Sequence, residues 1–104
     1  LRSTFTNFGD MILIPEKIRK DQMISVQKRS LRAKAETKKK SAHEKIQIGD
    51  LQGAKQDLRD ARQLIQEALQ KVRKLGERGK SERTIQDDIE ALWRRITKQE
   101  NDSV

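Results

Sequence analysis

The clearest hydrophobic pattern in this 104-residue chain lies in its middle. Apolar residues between 51 and 75 recur every seven positions in two interleaved series, which predicts one coiled-coil-like helix over 51–75. Leu64 and Leu69 widen the apolar face, so we expect this helix to have two neighbours. Alanine at three of the heptad positions favours close approach of one of them. The predicted packing positions are Leu51, Ala54, Leu58, Ala61, Ile65, Ala68, Val72 and Leu75.

A weaker pattern precedes this helix. Apolar residues at intervals of 7, 4, 7 and 4 trace a narrow stripe that Lys28 and Lys38 interrupt, and they predict one long helix over about 15–48. The residues of the stripe are Ile24, Leu31, Ala35, Ala42 and Ile46. Gly49 is typical of a helix end and Asp50 of a helix start, so the two helices should form an antiparallel hairpin.

A third helix is predicted after a short glycine-containing turn. Gly76 and Gly79 end the second helix, and Ser81 is a suitable N-cap for a helix over about 81–98. Its apolar positions recur at intervals of 4, 3 and 4, at Ile85, Ile89, Leu92 and Ile96. We expect residues 1–14 to form an irregular lead-in and residues 99–104 a frayed tail.

The predicted fold class is therefore all-α, because no run of residues alternates as a strand requires. The architecture is a long antiparallel helical hairpin, coiled-coil-like, plus a shorter third helix. The first helix is longer than the second and should overhang it. The overhang carries apolar residues, which favours a homo-oligomer or a protein partner: Ile18, Met23, Ile24 and Val26.

The distribution of charge along the chain indicates a function. Charged residues form 38% of the chain and the net charge is +8. Residues 1–45 hold 12 Lys and Arg against five acids, whereas residues 46–104 hold 12 against 11. Such asymmetry indicates an anionic partner. We expect nucleic acid, DNA or RNA, to contact the first helix through its phosphates, at Lys28, Arg29, Arg32, Lys34, Lys38, Lys39, Lys40 and Lys45.

Three other interpretations remain open. The first is that the basic face serves only solubility. Alternatively, the protein is a helical adaptor or oligomerisation module that acts through the heptad face of the second helix. A third alternative is a peripheral membrane-binding hairpin, which we rank lowest because the basic helix carries no Trp or Phe and only one Leu, Leu31, where several such residues are expected opposite the bases.

The sequence contains few of the residue patterns that catalysis requires. There is no cysteine, and His43 is the only histidine. Carboxylates alternate with Arg and Lys at helical spacing, which is typical of surface ion pairs. We therefore expect no enzyme activity, no metal, no cofactor and no small-molecule substrate. The longest apolar run, residues 11–14, is too short for a membrane span or a signal peptide, so an intracellular location, cytoplasmic or nuclear/nucleoid, is expected.

Two segments resemble known families. The stretch 80–92 resembles the recognition helix of DeoR-type winged helix-turn-helix repressors, which implies DNA contacts from Ser81, Arg83, Thr84 and Gln86. It departs from that family at Asp87, where a basic residue is usual, and in the long helix before it. The stretch 49–54 is similar to the inter-helix turn of TPR and MIT modules and to the basic first hairpin of ESCRT-III proteins, whose first helix meets membrane or nucleic-acid phosphate.

Overall fold

The structure is a computed structural model and describes residues 16–102, except for the side chain of Lys17. It contains three helices, α1 (Glu16–Gln47), α2 (Leu51–Leu75) and α3 (Lys80–Asp102). The residues described include no β-strand, and the expected all-α class is confirmed. The predicted lead-in over 1–14 lies outside the described residues, as do the last two residues of the predicted tail.

The helix bounds follow the predictions except in α3. The bounds of α2 are those predicted, and α1 is one residue shorter at each end. By contrast, α3 begins at Lys80, so Ser81 is its second residue rather than its N-cap, and it continues to Asp102. The predicted fraying from residue 99 is therefore wrong up to Asp102. A contact with α2 stabilises this last turn, since Lys55 Nζ lies 2.6 Å from Glu100 Oε2.

Two tight turns reverse the chain. Gly49 has a φ of +86°, and the following Asp50 caps α2 by accepting a hydrogen bond from the backbone N–H of Gly53 at 3.0 Å. Gly76 has a φ of +70°, and its N–H bonds the carbonyl of Arg73 at 3.1 Å. Both turns are short, so α2 is antiparallel to α1 and to α3, and α1 and α3 run parallel.

The core surrounds α2, which packs against both other helices as its wide apolar face predicts. Six of the eight predicted packing positions are buried, and Leu51 and Leu75 are half-buried. Alanines form much of the seam between α1 and α2, where the most extensive helix contact occurs. The fully buried alanines are Ala35 and Ala42 of α1 and Ala54, Ala61 and Ala68 of α2. They bring the two helices close but bury little apolar area.

The overhang of α1 is also present. Lys28 pairs with Glu77, which lies just beyond the end of α2, so residues 16–27 extend past α2. Three large apolar side chains on this overhang are exposed, namely Ile18 at 46%, Met23 at 66% and Val26 at 59%. None of the described helices combines enough length with enough hydropathy to cross a lipid bilayer.

Gly79 is expected to tolerate alanine less well than Gly49. Both have positive φ, which costs a non-glycine residue about 1–2 kcal/mol. A methyl group at Gly79 would also lie 2.8 Å from Cγ1 of Val72, whereas at Gly49 it would meet nothing within 4 Å. Overpacking adds about 1–3 kcal/mol. Urea unfolding should therefore show a larger loss for Gly79→Ala than for Gly49→Ala, and equal losses would contradict this account.

Candidate functional site

Most of the α1 bases that the sequence pattern predicts as phosphate contacts form ion pairs within the protein. Five of those eight residues of α1 pair with carboxylates of the α2–α3 half, and only Arg29, Lys34 and Lys40 are left exposed without such a partner among the residues described. The N–O distances are 2.8 Å for Lys28–Glu77, 3.7 Å for Arg32–Glu82, 3.6 Å for Lys38–Asp60, 3.0 Å for Lys39–Asp88 and 2.9 Å for Lys45–Asp57.

These pairs explain why the apolar stripe of α1 is interrupted. Lys28 and Lys38 lie among its packing positions, and each reaches a carboxylate on the opposite side of the contact. The side chain of Lys28 is only 12% exposed. Such lysines therefore serve the contact between helices. Each of these charges has a carboxylate counter-charge within the fold, although the side chain of Lys38 stays 44% exposed.

Asp57 is the centre of the α1–α2 pairs. This residue is 5% exposed, with Lys45 Nζ 2.9 Å from its Oδ2 and Lys38 Nζ 4.0 Å from its Oδ1. Burial alone would raise the pKa of Asp57, but hydrogen bonds from Ser41 and Lys45, with the charges of Lys45 and Lys38, hold it below its ordinary value. The hydrogen bond to Asp57 in turn raises the pKa of Lys45, against the smaller opposing effect of burial.

A second set of pairs joins α1 to the start of the third helix. Glu77 in the turn and Glu82 in the first turn of α3 are held by Lys28 and Arg32 respectively. Glu82 is only 2% exposed. The N-terminus of a helix favours an acidic residue, so this position suits a carboxylate. The pairing means that both acids near the α2–α3 turn are engaged by α1.

Consequently, the turn presents a concentrated positive surface that we name the basic end. Residues 71–83 contain six bases and two acids, and the two acids are Glu77 and Glu82. No carboxylate among the residues described pairs with any of the six bases, and all but Lys71 are exposed. The basic end consists of Lys71, Arg73, Lys74, Arg78, Lys80 and Arg83.

Helix stability does not account for the whole cluster. Arg73 and Lys74 lie in the last turn of α2, where the helix dipole favours cations. Lys80 and Arg83 lie at the N-terminus of α3, where the dipole disfavours them. The first N–H groups of a helix also lack intrahelical acceptors and attract anions. Cations at this end of α3 therefore suit a bound anion better than they suit the isolated helix.

Sequence reasoning found only Arg83 of this surface, through the resemblance to winged helix-turn-helix repressors. That geometry is not formed by residues 51–102: the helix before α3 has 25 residues and is antiparallel to it, and no strand follows. A count of bases over 71–83 would have marked the region. The two acids reduced its apparent charge, and only the fold shows that α1 neutralises them.

The heptad face of α2 and the single Trp are likewise engaged within the chain. Most of the heptad residues are buried against α1 and α3, so that face is covered and not open to a partner. Trp93 packs beside two guanidinium groups, with Arg59 Cζ at 5.7 Å and Arg62 Cζ at 5.4 Å from its ring centroid. Arg62 also pairs with Glu90 at 2.8 Å.

No group of three His, Cys, Asp or Glu side chains suited to a metal ion occurs in the part of the chain that the structure describes. His43 Nε2 lies 3.2 Å from the side-chain amide of Gln47 on the same helix. Comparison with known proteins finds no matching family model, no matching curated protein and no matching solved structure.

Asp57→Asn is expected to lower the free energy of unfolding by about 1–3 kcal/mol near neutral pH, because it leaves two lysines without their buried partner. The pKa of Asp57 is lower in the folded chain, so its contribution is present above the ordinary pKa of 3.8 and is lost as pH falls through the folded value. The pKa of Lys45 is raised in the folded chain, so the stabilising contribution of the Lys45–Asp57 pair is fully present below pH 10.5 and is lost as pH rises through the folded value. Denaturant unfolding of the wild-type chain and of Asp57→Asn at several pH values measures this loss of unfolding free energy and its pH dependence.

The control for this measurement is Glu67→Gln, which removes an exposed carboxylate with no cationic partner in the described residues. Its effect should stay within about 0.5 kcal/mol. The difference between the wild-type chain and Asp57→Asn should shrink in strong acid. A difference that persists there would show that Asp57 acts by something other than its charge.

Proposed function

We propose that this protein is a non-catalytic nucleic-acid-binding protein that contacts phosphates through the basic end. The observation that carries this proposal is the engagement of Glu77 and Glu82 by Lys28 and Arg32. It leaves six neighbouring bases without an internal counter-charge. Phosphate contacts of this kind supply most of the affinity of non-specific nucleic-acid binding.

In this proposal, α1 contributes in two ways. Lys28 and Arg32 act indirectly, because they neutralise the acids of the turn. Arg29 is exposed and unpaired among the residues described, and it lies next to Lys28 at the same end of the bundle. It therefore extends the basic end onto α1. Lys34 and Lys40 are also exposed, but they lie further along the helix.

The composition of the basic end favours phosphate contacts over base reading. Residues 71–83 include no Asn or Gln, the residues that pair best with adenine edges. The hydroxyl of Thr84, next to the cluster, donates to the carbonyl of Lys80 at 3.0 Å. Phosphate contacts position a protein but carry no sequence information directly. We therefore expect weak sequence preference.

The test is fluorescence anisotropy of a labelled duplex DNA and a labelled single-stranded RNA over a range of salt concentrations. The variant carries Lys74→Gln, Arg78→Gln and Lys80→Gln, all at exposed residues. On duplex DNA the slope of log affinity against log salt should fall in magnitude by about 0.9 for each lost contact. Affinity at near-physiological salt should fall by about tenfold or more.

The matched control carries Lys34→Gln, Lys40→Gln and Lys98→Gln, three exposed bases that lie away from the basic end and change the net charge equally. It should retain most of the affinity. Equal losses in the two variants would indicate diffuse attraction by the whole chain and contradict a defined site. No binding to either polymer would overturn the proposed function.

Self-association is a second candidate function, favoured by the exposed apolar side chains on the α1 overhang. A second copy that covered Met23 and Val26 would remove this apolar area from water. Sedimentation at high micromolar concentration should show a dimer or larger species, and Met23→Lys with Val26→Lys should reduce it. A strict monomer at that concentration would count against this function.

A further inference from the structure

A groove runs between α1 and α3 on the side of the bundle away from α2. Its volume is about 860 Å³, and it extends over residues 33–43 of α1 and 88–95 of α3. It exists because α3 packs more extensively on α2 than on α1 and because the residues between the walls are small. We call its small and apolar lining residues, Ala33, Thr37, Ala91 and Leu92, the floor.

Some of the charged residues around this groove form ion pairs with each other, and others have no partner of opposite charge among the residues described. Lys39 and Asp88 neutralise each other at 3.0 Å. Lys40 on the α1 wall and Arg95 on the α3 wall are exposed, and neither has a carboxylate partner among the residues described. Each wall therefore offers one free cation beside a mainly apolar floor. Glu36, one turn before Lys40, is the one carboxylate of the groove without a cationic partner in the described part of the chain.

We propose that this groove docks an acidic amphipathic helix of a protein partner. Small floor residues let a helix axis approach closely, and the apolar stripe of a partner helix would cover Leu92 and the alanines. Carboxylates on the two edges of that stripe would meet Lys40 and Arg95. Charge complementarity thus selects an acidic occupant over a basic one.

The length and direction of the occupant follow from the same residues. The 11 residues of α1 along the groove span about 16 Å, which corresponds to about three turns of a partner helix. Glu36 lies at one end of the α1 wall and Lys40 further along it. A basic residue in the partner near Glu36, with acids beyond it, would fix the direction in which the helix binds.

The test uses three labelled synthetic peptides of about 14 residues, each stapled on its polar face because short helices are marginal in water. The first has Leu and Ala along one face with Glu on both edges. The second replaces each Glu by Lys, and the third scrambles the first. Fluorescence anisotropy with the full chain should show tighter binding of the first peptide than of either other peptide.

Variants of the chain locate the binding. Lys40→Glu with Arg95→Glu should weaken the Glu peptide by about tenfold, which corresponds to the loss and reversal of two surface ion pairs. Ala91→Gln should also weaken it, because the longer side chain fills the floor at an exposed helical position that glutamine tolerates. Lys34→Glu with Lys98→Glu changes the net charge equally outside the groove and should leave the affinity unchanged. Circular dichroism confirms that each variant remains helical.

Several outcomes would overturn the proposal. These are a Glu peptide that binds no better than its scrambled form, and an equal loss in the two charge-reversal variants. A third is sedimentation in which Ala91→Gln reduces self-association while the peptide does not bind, because the groove would then hold a second copy of this chain. The variant of the basic end should bind the peptide normally, so failure of nucleic-acid binding and failure of groove docking are separate results.

Discussion

Close approach of α1 and α2 through alanine is the constraint on which the other features depend. Five fully buried alanines line this contact, so the helices come near each other while burying little apolar area. Side chains from the edges must then supply part of the attraction. Lys38 and Lys45 reach Asp57 across the contact, and Lys28 reaches Glu77. The bundle therefore depends on charge pairing more than a leucine-rich bundle does.

Because the helices are held by these ion pairs, the unpaired positive charge of the folded chain does not lie where the excess of bases lies in the sequence. The first half of the chain carries the excess of bases, but the fold directs much of it inward, towards carboxylates of the second half. The carboxylates so used are no longer available to neutralise their own neighbours. The six bases of the basic end, around the turn between α2 and α3, are therefore left without a carboxylate partner among the residues described.

The extent to which this molecule follows from its sequence differs between elements. The bounds of α2 are predictable because heptad spacing, the Asp50 cap and Gly76 agree with one another. The end of α3 is not, because residues 99–102 are polar and the last turn is held by Lys55, a residue 45 positions earlier. The basic end is hidden for a related reason. Neutralisation of Glu77 and Glu82 depends on residues about 50 positions away, and no local pattern records it.

The parallel arrangement of α1 and α3 also limits how this sequence can vary. Lys28–Glu77 and Lys39–Asp88 are both separated by 49 residues, so a single register relates α1 to the α2–α3 turn and to α3 over three turns of α1. An insertion or deletion between residues 39 and 77 would displace both pairs together unless it added or removed whole heptads in both arms of the α1–α2 hairpin. Homologues should therefore show paired charge exchanges at this spacing, and length variation should concentrate in the α1 overhang.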